Sequence, residues 1–262
     1  MNPLLARLMP GAAKPATTNT PAPEAAASTT SGSPLKAAYV AWVEDLKSAM
    51  PHDQAMELAI GGHFDLLGPK LSSLVRHYGL PADGYLIDVG CGSGRLSKPI
   101  SEYLTGRYLG IDLVPDLVDH ARKISARPDW RFEVVDHIGI PEIDNQADAV
   151  CFFSVMTHLT HEQSFWYLQE AARVLKPGGK VVFSFLEFLE PGHWQIFEDT
   201  LEAAKSRTEI PMNVFMGRGF FPVWAEHLGL VLDEVRNATD AITDEGALGQ
   251  SLCVMSKPLT PN

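Results

Sequence analysis

The apolar positions of this chain alternate between helical and extended spacing. Leu35, Tyr39, Trp42, Val43, Leu46 and Met50 share one face of a helix that Ser33 caps, with Pro34 in its first turn, and that Pro51 ends. Leu67, Leu71, Leu74, Val75 and Tyr78 form a second stripe, which predicts a helix from about Pro69 to Tyr78 with Gly79 and Pro81 as stops. Tyr85 to Val89 is a short apolar run suited to a buried strand, and Gly90, Gly92 and Gly94 follow it at once. Leu96, Ile100, Tyr103 and Leu104 then return to helical spacing, with Gly106 predicted to stop that helix in a left-handed conformation.

The same alternation continues. Arg107 to Asp112 reads as a strand, and Pro115 opens a helix with Leu117, Val118, Ala121 and Ile124 inward. Strands are predicted at Trp130 to Val135 and Ala147 to Val155. A capping-box pair, Thr160 and Gln163, then opens a helix that stops at Lys176-Pro177-Gly178-Gly179. A strand at Lys180 to Phe188 follows, with helices at Trp194 to Lys205 and Pro222 to Leu228 and closing strands near Leu230 to Arg236 and Gln250 to Lys257. Strand and helix in alternation predict an α/β protein with a doubly wound, mainly parallel sheet, preceded by a helical cap over residues 35–80.

Composition adds a boundary and some exclusions. Residues 1–34 hold six Pro, eight Ala, five Thr and three Ser without an aromatic residue, and are expected to be a disordered tail ahead of a single domain over 35–262. A formal net charge of −11 argues against a nucleic acid partner, because phosphate backbones attract basic surfaces. Cys91, Cys151 and Cys253 are far apart with no metal-ligand spacing, so no metal is expected, and a reducing, cytoplasmic location is. No apolar run approaches the ~20 residues that span a bilayer, so no membrane partner is expected. Nothing in the pattern speaks to oligomeric state.

Strand, glycine turn and helix together suit a ligand that lies against bare backbone, with its anionic end at the helix N-terminus. The dinucleotide fingerprint would need a glycine where Arg95 stands. Asp88-Val89-Gly90-Cys91-Gly92-Ser93-Gly94 instead resembles the first motif of class I S-adenosylmethionine-dependent methyltransferases. Asp112 follows Asp88 by one strand-helix-strand interval, where a carboxylate can accept both ribose hydroxyls; the plainer alternative is an acid at a helix N-terminus. Ala172 to Lys180, ARVLKPGGK, resembles the family's late motif, a tight turn back into the sheet.

The resemblance implies a seven-stranded Rossmann-like sheet with an antiparallel last strand, and S-adenosyl-L-methionine as cofactor. It implies that Asp136 accepts from the adenine amino group while the backbone of His137 reaches the ring. The cofactor site it implies comprises Asp88, Gly90, Cys91, Gly92, Gly94, Asp112, Leu113, Asp136, His137 and Phe153, with Phe64 from the cap. It further implies methyl transfer by in-line displacement; a non-catalytic binding or scaffold protein, or another transferase on the same fold, is the alternative.

A sulfonium methyl is already activated, so positioning supplies much of the catalysis and one base suffices. His158, beyond the fourth strand, is the first candidate and His193 the second, with His63 and His161 weaker. No (D/N)PP(Y/F) motif or Pro-Cys nucleophile follows the fourth strand, and Thr157 stands where cyclopropane-forming relatives carry an acid. A small-molecule acceptor is expected. Trp42, Trp194, Phe215, Phe220 and Phe221 could line an aromatic pocket or simply pack their elements together. Ile60-Gly61-Gly62-His63-Phe64 reads as a closing junction or as a plain interhelix turn.

Overall fold

The structure, a computed structural model, describes residues 34–206 and 213–259. The expected tail and the Ser33 cap therefore lie outside the described residues. Three helices come first: α1 (Pro34–Ala49), α2 (His52–Ala59) and α3 (Phe64–His77). β1 (Tyr85–Val89), α4 (Ser97–Ile100), β2 (Arg107–Asp112), α5 (Pro115–Ser125), β3 (Arg131–Val134) and β4 (Ala147–Phe152) follow in turn. A 3-10 turn at Met156–His158 leads to α6 (His161–Val174), β5 (Leu175–Phe185), α7 (Pro191–Lys205), α8 (Phe220–Leu228), β6 (Val231–Arg236) and β7 (Ser251–Ser256).

The seven strands form one sheet in the order β3-β2-β1-β4-β5-β7-β6. β3, β2, β1, β4 and β5 run parallel, and β7 is inserted antiparallel between β5 and β6. Strand order reverses between β1 and β4, which opens a crevice at their carboxyl ends. Both faces of the sheet are covered. Ile87, Val150, Phe152, Phe183 and Phe221 belong to the core on one side, and Leu86, Cys151, Val182, Leu252 and Val254 to the core on the other. A third cluster joins Val43, Leu46, Ala55, Met56 and Ala59 of the cap to Val114 and Leu117, so the cap sits where β2 passes into α5.

Four elements depart from the reading of the sequence. α2 was not expected: two of the three side chains it buries are alanines, Ala55 and Ala59, which leave a weak apolar signal, and Pro51 precedes this helix as well as ending α1. α3 begins at Phe64 and carries Pro69 inside it. Gly68 there lies so close to the Arg95 carbonyl and the Pro99 ring that a Cβ would stand 2.9 Å from the former, and this docking outweighs the lost proline donor. The helix after the glycine turn is only four residues long, with Pro99 inside its single turn. Gly106 is not left-handed; it is glycine because a Cβ would run into the backbone of Asp83 and Gly84.

The late turn behaves as expected in outline. β5 begins directly after α6, and Gly178 donates its amide to the Lys257 carbonyl at 2.8 Å, tying the turn to the end of β7. Gly178 holds φ 83°, a left-handed value that suits glycine.

Candidate active site

The glycine turn closes the carboxyl end of β1. Gly90, Gly92 and Gly94 have φ of 72°, 55° and 102°, which side chains rarely adopt. Their Cβ positions are also taken: beside Gly90 lies Val155, beside Gly92 lies Ile60, and beside Gly94 lie Ala121 and Ile124. Val155 follows β4, so Gly90 and Val155 face each other across the point where strand order reverses. The turn is clamped from two sides. The Ser93 hydroxyl donates to the Met56 carbonyl at 2.8 Å, and the buried His120 ring donates through Nδ1 to the Ser93 carbonyl at 2.8 Å. Arg95 reaches back through Nη1 to the carbonyls of Ile60 and Gly62 at 3.1 and 3.4 Å.

Gly61, Gly62 and His63 are therefore a left-handed turn, with φ of 89°, 72° and 58°, fastened to the glycine motif by Arg95. Burial pulls the Arg95 guanidinium down to about 10, against the pull of the Asp88 charge. Its Nε is buried without a partner.

Asp112, at the end of β2, accepts the Gly92 amide on one oxygen at 3.0 Å and the Val114 amide on the other at 3.1 Å. Burial raises its pKa, and the Val114, Gly92 and Leu113 amides oppose the rise. A carboxylate has about four lone-pair sites, so acceptor capacity remains for a diol. The Asp112 charge also reaches Tyr39 of α1 and Tyr167 of α6: burial first, then this charge, raises both phenols, Tyr167 to about 12.

The remaining expected residues fall into separate places. Cys91 and Leu113 lie at the same strand ends as the glycines and Asp112, Cys91 buried and Leu113 against the cap cluster. Asp88 points inward. Its carboxylate accepts from the Tyr108 hydroxyl at 2.7 Å and from the Cys151 thiol at 3.5 Å, and burial pushes it up to about 6. Phe153 belongs to the sheet core, so only its backbone is open to a ligand. Phe64 is buried at the start of α3. Asp136 and His137 form an exposed rim beyond β3, where Asp136 pairs with Lys36 of α1 at 3.1 Å.

The two catalytic candidates part company. His158 ends the 3-10 turn after β4 and meets Tyr39 edge-on, with centroids 5.8 Å apart. His193 is 2% exposed and fully engaged: Nδ1 accepts the Glu187 amide at 3.0 Å, and Nε2 donates to the Gly249 carbonyl at 3.2 Å. Its role is to hold the end of β5 against the start of β7, which corrects its expected place among the reacting groups. Trp42 packs, partly buried, against the cap cluster and Phe221 lies in the sheet core. Phe215 and Phe220 do line one, beyond β5.

Tyr39, Arg95, His120, Tyr167 and Glu187 were passed over as site residues. Glu187 had a visible signal, a lone acid in the apolar run VVFSFLEFL. Tyr39 had none, since an aromatic at helical spacing reads as core. Among the described residues no group of three or more His, Cys, Asp or Glu is arranged to hold a metal, and no helix is long and apolar enough to cross a membrane.

Residues 86–179 match the family description "Methyltransferase domain". A ubiquinone biosynthesis O-methyltransferase of Xanthomonas oryzae pv. oryzae is 34% identical over 109 residues, 40% of this chain and 44% of the relative. A malonyl-[acyl-carrier protein] O-methyltransferase of Hahella chejuensis is 31% identical over 121 residues, 46% of this chain and 42% of the relative. The chain thus spans less than half the length of these relatives. Among solved structures, magnesium protoporphyrin IX methyltransferase from Synechocystis shares the fold with a TM-score of 0.58 at 14% identity, over 85% of this chain and 98% of that one. The [4+2]-cyclase SpnF also shares it, with a TM-score of 0.53 at 16% identity, over 73% of this chain and 82% of that one. The stretch that begins in β1 and ends in the late turn before the apolar half of β5 thus matches a methyltransferase domain, set within a fold that solved methyltransferase structures share.

Proposed function

We propose that this protein transfers a methyl group from S-adenosylmethionine to a small molecule. The observation that carries this reading is the 3.0 Å bond from the Gly92 amide to the Asp112 carboxylate, which joins the glycine turn to the acid at the end of β2 in one cradle. In this reading Asp112 receives the ribose hydroxyls, the glycine turn receives the methionine portion on bare backbone, and Asp136 takes the adenine amino group. When bound, the cofactor would supply an activated sulfonium methyl, and an acceptor hydroxyl would give up its proton. We assign that proton to His158, at the carboxyl end of β4. Both relatives are named as O-methyltransferases, which supports oxygen as the accepting atom.

Residues 35–262 act as one unit in this reading, with 35–80 as a cap that Val43, Leu46 and Met56 seat on Val114 and Leu117. The free, buried Cys91, Cys151 and Cys253 support a cytoplasmic setting. Calorimetric titration with S-adenosylmethionine and S-adenosylhomocysteine tests the cofactor half. Both should bind, and Asp112→Ala should weaken both by about 1.5–3 kcal/mol, the range of hydrogen bonds to a charged group. No heat with either ligand at saturating concentration would sink the reading. Release of S-adenosylhomocysteine in a screen of hydroxylated acceptors tests the transfer half; silence across the screen with cofactor bound would leave a binding protein instead.

A further inference from the structure

Beyond the carboxyl end of β5 lies a cavity of about 300 Å³, walled by Phe188, Leu189, Phe215 and Phe220 with Glu187 and Arg218 at its polar side. It adjoins the cradle through one short stretch of chain. Val155 stands against Gly90, and the 3-10 turn that follows it ends near Thr157, whose carbonyl accepts the Val214 amide at 2.8 Å. Phe215 comes next. Its backbone bridges Leu186 at the end of β5, and His161 donates from Nε2 to its carbonyl at 3.2 Å. The wall is therefore held by the loops after both β4 and β5, the strands whose carboxyl ends face the crevice.

The walls are aromatic, and the two charged side chains that line them are paired. Phe188 and Phe215 stack with centroids 4.6 Å apart and planes 13° from parallel, and Phe197 abuts both edge-on. Phe188 is 54% exposed and Phe220 38%, although large aromatic side chains are normally buried. The Glu187 carboxylate is held by the Arg218 guanidinium through two bonds of 2.8 and 2.7 Å and by the Ser251 hydroxyl. This pair offers dipoles and hydrogen bonds without net charge, and Glu190, buried 3.8 Å from the same guanidinium, adds a further acid, so the polar side does not favour an anion. Ring faces prefer other rings, in stacked or edge-on contact. A cavity of about 150 Å³ takes one benzene, so this volume suits one or two fused rings.

We propose that this cavity is the acceptor site and that its ligand is a flat, uncharged, largely apolar ring system of one or two fused rings, with a polar substituent toward the Arg218–Glu187 pair. The proposal rests on the methyltransferase reading for the word acceptor, and on the cavity alone for the ligand class. It is tested on the full chain by saturation-transfer NMR with 2-naphthol, using 2-naphthoate as the charged counterpart and a saturated decalinol as the non-aromatic one. Saturable binding of 2-naphthol is expected without cofactor, with 2-naphthoate weaker through its charge and the decalinol weaker by about two- to tenfold, the scale of an aromatic contact. Phe215→Ala and Phe220→Ala should each weaken 2-naphthol similarly, whereas Trp166→Ala, which removes an exposed ring elsewhere on α6, should not.

Equal binding of the three probes, no saturable binding, or binding unmoved by both cavity variants overturns the ligand class. S-adenosylhomocysteine titrated in parallel separates the two ideas: cofactor binding without naphthol binding sinks only this proposal. Naphthol binding without cofactor binding sinks the acceptor assignment along with the methyltransferase reading. Unchanged cofactor affinity in the two cavity variants shows that they remain folded, and if one does not fold the other carries the test.

Discussion

Lys36 of α1 places its Nζ 3.1 Å from a carboxylate oxygen of Asp136, at the rim beyond β3. This bond is the first cause of the lowered Asp136 pKa, and it ties the cap to the strand end where the adenine amino group is proposed to bind. The pair is exposed, so it should matter for local order more than for global stability. Lys36→Ala and Asp136→Asn should both speed hydrogen exchange in α1 with little change in melting temperature, but only Asp136→Asn should weaken S-adenosylmethionine. Equal affinity in the two variants would remove Asp136 from the adenine site.

Gly90→Ala should be costly for two separable reasons. A Cβ there collides with Val155, and a side chain at φ 72° costs about 1–2 kcal/mol by itself. Urea unfolding of Gly90→Ala and of the double variant with Val155→Ala should show partial recovery in the latter. The residual loss of about 1–2 kcal/mol is the backbone share. Full recovery would mean that the turn can relax to an ordinary conformation.

Asp88 carries a pH signature. With its carboxyl raised by burial from 3.8 to about 6, the folded chain holds this proton more tightly than the unfolded chain. Folding then takes up a proton between those values, and the contribution of Asp88 to stability is full below the lower one and lost as pH rises through the upper. From pH 4 to pH 7 the unfolding free energy of Asp88→Asn relative to wild type should rise by about 2 kcal/mol, because the amide never ionises. A difference that stays level across that range would show an ordinary carboxyl.

His193 and His158 should respond in opposite ways. His193→Ala leaves the Glu187 amide and the Gly249 carbonyl without their partner, which should cost about 1–3 kcal/mol of stability. His158→Ala should lower kcat by about 10²–10⁴ while cofactor affinity stays nearly unchanged. Wild-type kcat in that variant would end its assignment as the base.

Local pattern determined most of the elements of this protein, and one ordered set of motifs pointed to the methyltransferase domain that residues 86–179 match. Apolar runs at β1 and β4 and the Thr160–Gln163 capping box depend on neighbours a few residues away, so they can be read along the chain. Elements whose reasons lie far along the chain were legible only in part. α2 buries mainly alanines, α3 runs through Pro69 because Gly68 docks on the Arg95 carbonyl, and Gly106 answers to Asp83 and Gly84 across a turn.

The site divides in the same way. The spacing from Asp88 to Asp112 is local enough to locate the acid at the end of β2. Which groups surround a histidine is not, because they come from other elements. Tertiary structure decided that His193 is locked between Glu187 and Gly249 while His158 stands at the strand ends beside Tyr39. It also decided which aromatics line a cavity and which fill the core: Phe215 and Phe221 are indistinguishable in the sequence, and only the path of the loop over β5 puts the first at a cavity wall and the second inside. The physical reason is that burial and hydrogen-bond partnership are properties of pairs of surfaces, which come into being only when distant segments meet.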